Sequence, residues 1–107
     1  MALTREFKHT VSARATRDPA FAKALLEEAA NLFLNGETNA ARLVLRDLVN
    51  ASVGFEALAA ATQTPSKSLH RMLSERGNPR MDNLAAIIGV MQKRLGVDIR
   101  AKAVRAA

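Results

Sequence analysis

Cysteine, tryptophan and tyrosine are absent, and the 107 residues hold only two histidines, His9 and His70. Without cysteine there is no disulfide framework and no thiolate metal site. With two distant histidines and neither cysteine nor tyrosine, a nucleophile–base pair or a metal cluster has few candidates. Glu27 and Glu28 are neighbours in sequence, so on a helix they point in different directions and make no carboxylate pair. Gly36, Gly54, Gly77, Gly89 and Gly96 are scattered and form no phosphate-binding loop. The expectation is a protein that is not an enzyme and needs no cofactor or metal. No segment approaches the roughly 18 uninterrupted apolar residues of a membrane helix. The start, "MALTREFKHTVSARATRD", has no apolar stretch of signal-peptide length. A soluble cytoplasmic protein with no membrane partner is therefore expected.

Aromatics are also scarce, at 4%, all of them phenylalanine, while hydrophobic residues reach 49%. Alanine and leucine fill the gap, which favours helix over sheet. The apolar content is enough for a core, and the length suits one domain, or one domain with arms.

Positive charge is unevenly spread. Residues 1–63 carry seven Lys/Arg and seven Asp/Glu. Residues 64–107 carry nine bases (Lys67, Arg71, Arg76, Arg80, Lys93, Arg94, Arg100, Lys102, Arg105) against Glu75, Asp82 and Asp98, so the whole +6 excess lies there. Such asymmetry points to a polyanionic partner; the alternative is a solvated basic surface kept for solubility, and charge alone does not separate the two.

Apolar spacing predicts an all-α chain of five to six short helices. Leu3, Phe7, Val11 and Ala15 recur every four residues and predict a short amphipathic helix. Asp18 as N-cap and Pro19 at the first helical position start a second, with Phe21, Leu25, Ala29, Leu32 and Phe33 along one face and Asn35–Gly36 as its stop. A third runs from about Thr38 to Asn50 with Leu43, Leu45, Leu48 and Val49 apolar, ending before Gly54. Phe55, Leu58, Ala59 and Thr62 predict a short helix, and Thr64 as cap with Pro65 at N1 opens the next, which turns Leu69, Met72 and Leu73 inward. Gly77, Asn78 and Pro79 break it. The last helix spans about Met81 to Leu95, with Leu84, Ile87, Ile88, Met91 and Leu95 on its apolar side, and stops at Gly96. Met72, Met81 and Met91 read as core or interface filler. In the tail, "VDI" at residues 97–99 reads as a short strand before a basic end. "ANLFLNGETNAARLVL" resembles half a tetratricopeptide unit, but such arrays stack about three repeats, and this chain has room for one.

The short pair in "GFEALAAATQTPSKSLHRML" meets the demands of a helix-turn-helix, whose second helix enters the major groove. Ala59 is small where the second helix must approach closely. With Leu69, Met72 and Leu73 inward, Ser66, Lys67, His70 and Arg71 are left outward, Ser66 and Lys67 at the helix start and the others one turn on. All four can donate hydrogen bonds, and Arg or Lys to guanine is the commonest specific base contact. The bland readings stand beside these: Ser66 and Ser68 as ordinary cap and surface residues, Lys67 and Arg71 as solvated charges, His70 and His9 as surface histidines.

"GFEALAAATQTPSKSLHRMLSERGNPRMDNLAAII" resembles the XRE-type, lambda-repressor-like helix-turn-helix, and more narrowly the antidote (antitoxin) component of bacterial addiction modules. The features that carry the resemblance are "LAAAT" before a turn, "S-L-x-x-x-L-S" at Ser68 to Ser74, "GNP" at Gly77 to Pro79, and "DNL" opening the last helix. It covers residues 54–97. The preceding "TRDPAFAKALLEEAANLFLNGETNAARLVLRDLVNASVGFEAL" resembles the leader of small regulators in the same group, less specifically. The resemblance implies a sequence-specific DNA-binding regulator that represses its own operon and neutralises a small ribonuclease-like toxin. Two positions depart from the family pattern. Gln63 stands where the turn usually has glycine, at a position that often needs φ > 0. Arg80 stands where a Ser or Thr usually caps the last helix; Asn78 with Pro79 is the substitute cap, and a cation at a helix N-terminus is unfavourable unless a phosphate lies near.

The expected organisation is a helical partner or dimerisation region over 1–53, a DNA-binding region over 54–97 and a basic tail over 98–107. The expected DNA contacts are Ser66, Lys67, His70, Arg71, Arg76 and Arg80, and the partners double-stranded DNA, a second copy of the chain and a ribonuclease-like toxin. The competing class is a helical adaptor whose basic face meets an acidic protein.

Overall fold

The computed structural model describes residues 18–107. It is all-α: α1 (Pro19–Leu34), α2 (Thr38–Ala51), α3 (Phe55–Thr62), α4 (Ser66–Met72) and α5 (Met81–Leu95), with no strand among the described residues. The amphipathic helix expected over residues 3–15, and His9 with it, lies outside them.

α1 begins as its chemistry dictates. Asp18 takes an extended conformation, and its carboxylate accepts from the amides of Ala20 at 3.0 Å and Phe21 at 3.2 Å, while Pro19 occupies the position whose amide needs no partner. It ends on Gly36, left-handed at φ +82°. That geometry lets the Gly36 amide reach the Phe33 carbonyl and the Glu37 amide the Leu32 carbonyl, so the last carbonyls are satisfied. The three-residue connection folds α2 back on α1, and the two form the most extensive helix pair among the described residues. The buried stripe of α1 is Ala22, Leu26 and Ala29; of the face that spacing suggested, Ala29 is buried, while Phe21, Leu25, Leu32 and Phe33 flank the stripe, half-buried. The centre of a helix contact goes to small residues because they let the backbones approach, and larger ones close the sides. α2 buries Ala41, Leu45, Leu48 and Val49, and leaves Leu43 outward.

A single cluster holds the molecule together: Leu26, Leu45, Leu48, Val49, Phe55, Leu58, Leu69, Leu73, Ile87 and Met91, with Ala22 and Ala29. It draws on all five helices, so residue 53 separates surfaces and not cores. α5 ends at Gly96, left-handed at φ +67°, with the Val97 amide donating to the Gln92 carbonyl at 2.9 Å. The tail beyond it makes no strand. Val97 and Ile99 pack against the core, the Ile99 amide donates to Gln92 Oε1 at 2.7 Å, and no strand among the described residues lies alongside to complete a ladder. Met81, expected as core or interface filler, is not in the core: it is 78% exposed at the start of α5, where it joins Leu34, 71% exposed, across an apolar cleft also lined by Phe33, Leu84 and Ile88. No described helix is long and apolar enough to cross a membrane.

Candidate nucleic-acid interface

The basic face is built on α3, α4 and the connection between α4 and α5. Three residues, Gln63 to Pro65, link α3 to α4. Gln63 takes the left-handed conformation, φ 53° and ψ 41°, and is the one described non-glycine residue with positive φ. The turn thus keeps the shape a glycine would give it, at a cost on the order of 1 kcal/mol for the Cβ. The amides of Gln63 and Thr64 both reach the Ala59 carbonyl, and Thr62 Oγ1 donates to the Leu58 carbonyl, which closes the end of α3. Thr64 does not cap α4. Its hydroxyl turns back to the Thr62 carbonyl at 3.1 Å, and Pro65, at ψ 139°, is the residue whose carbonyl begins α4 by accepting from Ser68 and Leu69.

Leu69 is buried within α4 and Leu73 is buried just beyond its end, which fixes how the helix is rolled. Lys67, His70 and Arg71 are exposed as expected; Ser66 and Ser68 are half-buried. Lys67 and Arg71 stand one turn apart, a like-charge spacing that is mildly unfavourable unless an anion sits between. Neither they nor Arg76 and Arg80 form an ion pair among the described residues. His70 is not simply a solvent-facing donor: its ring stacks on Phe55, with centroids 3.9 Å apart and planes 19° from parallel, and ties α4 to the first turn of α3.

Past α4 the chain turns tightly. The Ser74 amide and hydroxyl both donate to the Arg71 carbonyl, and the Gly77 amide donates to the Ser74 carbonyl at 3.0 Å. A Cβ on Gly77 would lie 2.2 Å from the Met72 carbonyl oxygen and 2.6 Å from that of Arg71, so only glycine fits there. This return sets Arg76 and Asn78 opposite Ser68 and Arg71 around a cleft of about 330 Å³. Arg80 follows, exposed, as the residue preceding α5. It stands at the N-cap without a side-chain hydrogen bond, so Asn78 and Pro79 are not the cap the sequence suggested, because they lie outside the helix by one residue and more.

The sequence reading missed the residue under this return. Arg42, on α2, is 6% exposed. Its Nε donates to the Ser74 carbonyl at 3.1 Å, and its Nη2 donates to the Glu75 carbonyl at 3.0 Å and to Asn39 Oδ1. The signal was available in the register: Arg42 precedes Leu45 by three residues and Val49 by seven, on the buried side of α2. Comparison with protein-family models, curated proteins and solved structures finds no match for the chain.

Proposed function

We propose that the chain is a sequence-specific regulator that binds double-stranded DNA through α4, acts in the cytoplasm as a pair of copies on a pseudo-palindromic site, and represses transcription in the manner of an antitoxin. One observation carries the reading. A short helix seated on Leu69 and Leu73 presents Lys67 and Arg71 outward, and the return behind it adds Arg76 and Arg80, all four exposed and without ion pairs among the described residues. Unpaired cations gathered at one edge of a short helix fit a polyanion whose groove admits a helix and whose phosphates flank it. Lys67 and Arg71 read base edges, Ser66 at the first position of α4 meets a phosphate or a base, and Arg76 and Arg80 meet phosphates. His70 serves chiefly to brace α4 through Phe55.

One such helix covers only about 3 to 4 base pairs, so a second copy supplies the rest of the specificity. The exposed apolar pair Leu34 and Met81 supports a protein-binding face close to the basic one, open to a second copy or to a small ribonuclease-like toxin. The same pair supports the competing class, a helical adaptor whose basic face meets an acidic protein. Duplex affinity measured across a salt series separates them. Contacts to several phosphates make log K fall steeply and linearly with log salt. A flat salt response, or no binding to duplex at low salt, rejects the DNA reading.

A further inference from the structure

We infer that Arg42 is a positioning residue for an anion cleft: from inside the fold it holds the return between α4 and α5 so that Arg76 faces Arg71 across a space that takes a backbone phosphate. The inference rests on the DNA reading for the identity of the anion, and on the hydrogen bonds of Arg42 for the latch.

The geometry has three parts. First, the carbonyls of Ser74 and Glu75 stand just past the last turn of α4; Arg42 donates to both, and the Ser74 carbonyl also accepts from the Gly77 amide, so the guanidinium and the turn meet at one oxygen. A guanidinium holds two successive carbonyls from two separate nitrogens in a fixed plane, with the Asn39 amide oxygen on the second; an ammonium offers its three donors from one freely rotating nitrogen and lacks that fork. Second, the return has no slack. Gly77 sits against the Arg71 and Met72 carbonyls, so a shift of residues 74 and 75 carries Arg76 with it. Third, all three acceptors of Arg42 are neutral oxygens, and no described carboxylate pairs with it. A buried cation is ordinarily matched by an anion. Here no carboxylate among the described residues matches the charge, and the carbonyls it holds belong to the return whose next residues, Arg76, Gly77 and Asn78, line the cleft with Arg71. An anion in that cleft completes the balance.

The test uses the full chain and a mixed-sequence DNA duplex of about two helical turns, in the variants Arg42→Lys, Arg42→Met, Asn39→Ala, Arg76→Ala and Arg42→Lys/Arg76→Ala. Fluorescence anisotropy gives affinity and its salt slope; amide hydrogen exchange reports on Ser74 and Gly77. In Arg42→Lys, binding weakens on the order of tenfold, the loss of one charge-assisted hydrogen bond, and the slope falls by about 1, one phosphate contact. The double variant binds no worse than Arg76→Ala alone, since both changes remove the same contact. Ser74 and Gly77 exchange faster, while α1 and α5 keep their protection. Asn39→Ala, which keeps the guanidinium and loses one of its acceptors, moves in the same direction by less and serves where Arg42 variants fold poorly. Three results overturn the inference: unchanged exchange at Ser74 and Gly77; faster exchange with an unchanged salt slope, which makes Arg42 structural only; or a wild-type slope in Arg42→Lys with loss confined to Arg42→Met, which makes its charge and not its fork the cause. If the wild-type chain binds duplex with no salt dependence, the DNA reading fails, and exchange alone decides the latch.

Discussion

Single side chains divide here into those the fold needs and those it leaves over. Lys67 and Arg71 are exposed and unpaired, so Lys67→Ala or Arg71→Ala should shift stability by no more than about 0.5 kcal/mol. Each should cost about 1 to 3 kcal/mol of discrimination between a selected site and its base-substituted variants, because a base contact is lost. Wild-type discrimination in both would mean that α4 is not the reading helix. Gly77 belongs to the other class. Its φ is unremarkable, but a methyl group would press on two carbonyl oxygens, so Gly77→Ala should cost on the order of 1 to 3 kcal/mol and lower the thermal midpoint by several degrees. An unchanged melt would show that the return can open without penalty. At this scale the sequence was legible where chemistry is local and opaque where it is not. The exposure of Lys67 and Arg71 followed from the roll of one helix. In the sequence Arg42 is only one of the seven bases of the charge-balanced first half, because its partners include backbone carbonyls more than thirty positions away, and carbonyls carry no residue identity in a sequence.

Helices show the same contrast between interior periodicity and ends. The spacing of Leu69 and Leu73 predicted their burial, and both are buried. Truncating either to alanine should remove about 2 to 5 kcal/mol, a large part of what a domain this size has. A midpoint that moved by only a degree or two would place that leucine outside the core. Ends were read less well. Asp18 and the two glycines at Gly36 and Gly96 act as expected, since each needs only its nearest amides or a positive φ. The starts of α4 and α5 do not use the residues that propensity favours. Thr64 bonds backward to Thr62, and Arg80 stands where a capping oxygen is wanted. That vacancy predicts opposite effects from one change. Arg80→Asp adds a side-chain acceptor and a favourable charge at the start of α5, which should raise stability by about 0.5 to 2 kcal/mol. It should weaken duplex binding and lower the salt slope by at least about 1, since a cation that meets a phosphate becomes an anion. A variant that melted higher and bound as well as wild type would take Arg80 out of the interface.

Taken whole, the molecule has two kinds of surface on one core. The basic excess after residue 63 gathers in part around α4 and the return, and the neutral half contributes Leu34 to an apolar patch completed by Met81 from α5. Leu34→Asp and Met81→Asp should therefore weaken self-association by gel filtration and light scattering while changing the monomer's stability by only about 0.5 kcal/mol, because both side chains are mostly exposed. Retained association in both variants would move the copy-to-copy contact elsewhere. The patch was only half legible: Met81 was read as filler for a core or an interface, and nothing in the chain's order announces that the end of α1 meets the start of α5.

The shared core has a further consequence, for lifetime. A cluster drawn from all five helices leaves neither half able to open while the other stays shut. Whatever binds the closed form at one surface then shields the other from digestion, by about 2.7 kcal/mol when the ligand is present at a hundred times its dissociation constant. DNA held at α4 would slow proteolysis at α1, and a protein held at Leu34 would slow it at α4. Each bound molecule thus sets how long the chain survives to meet the other.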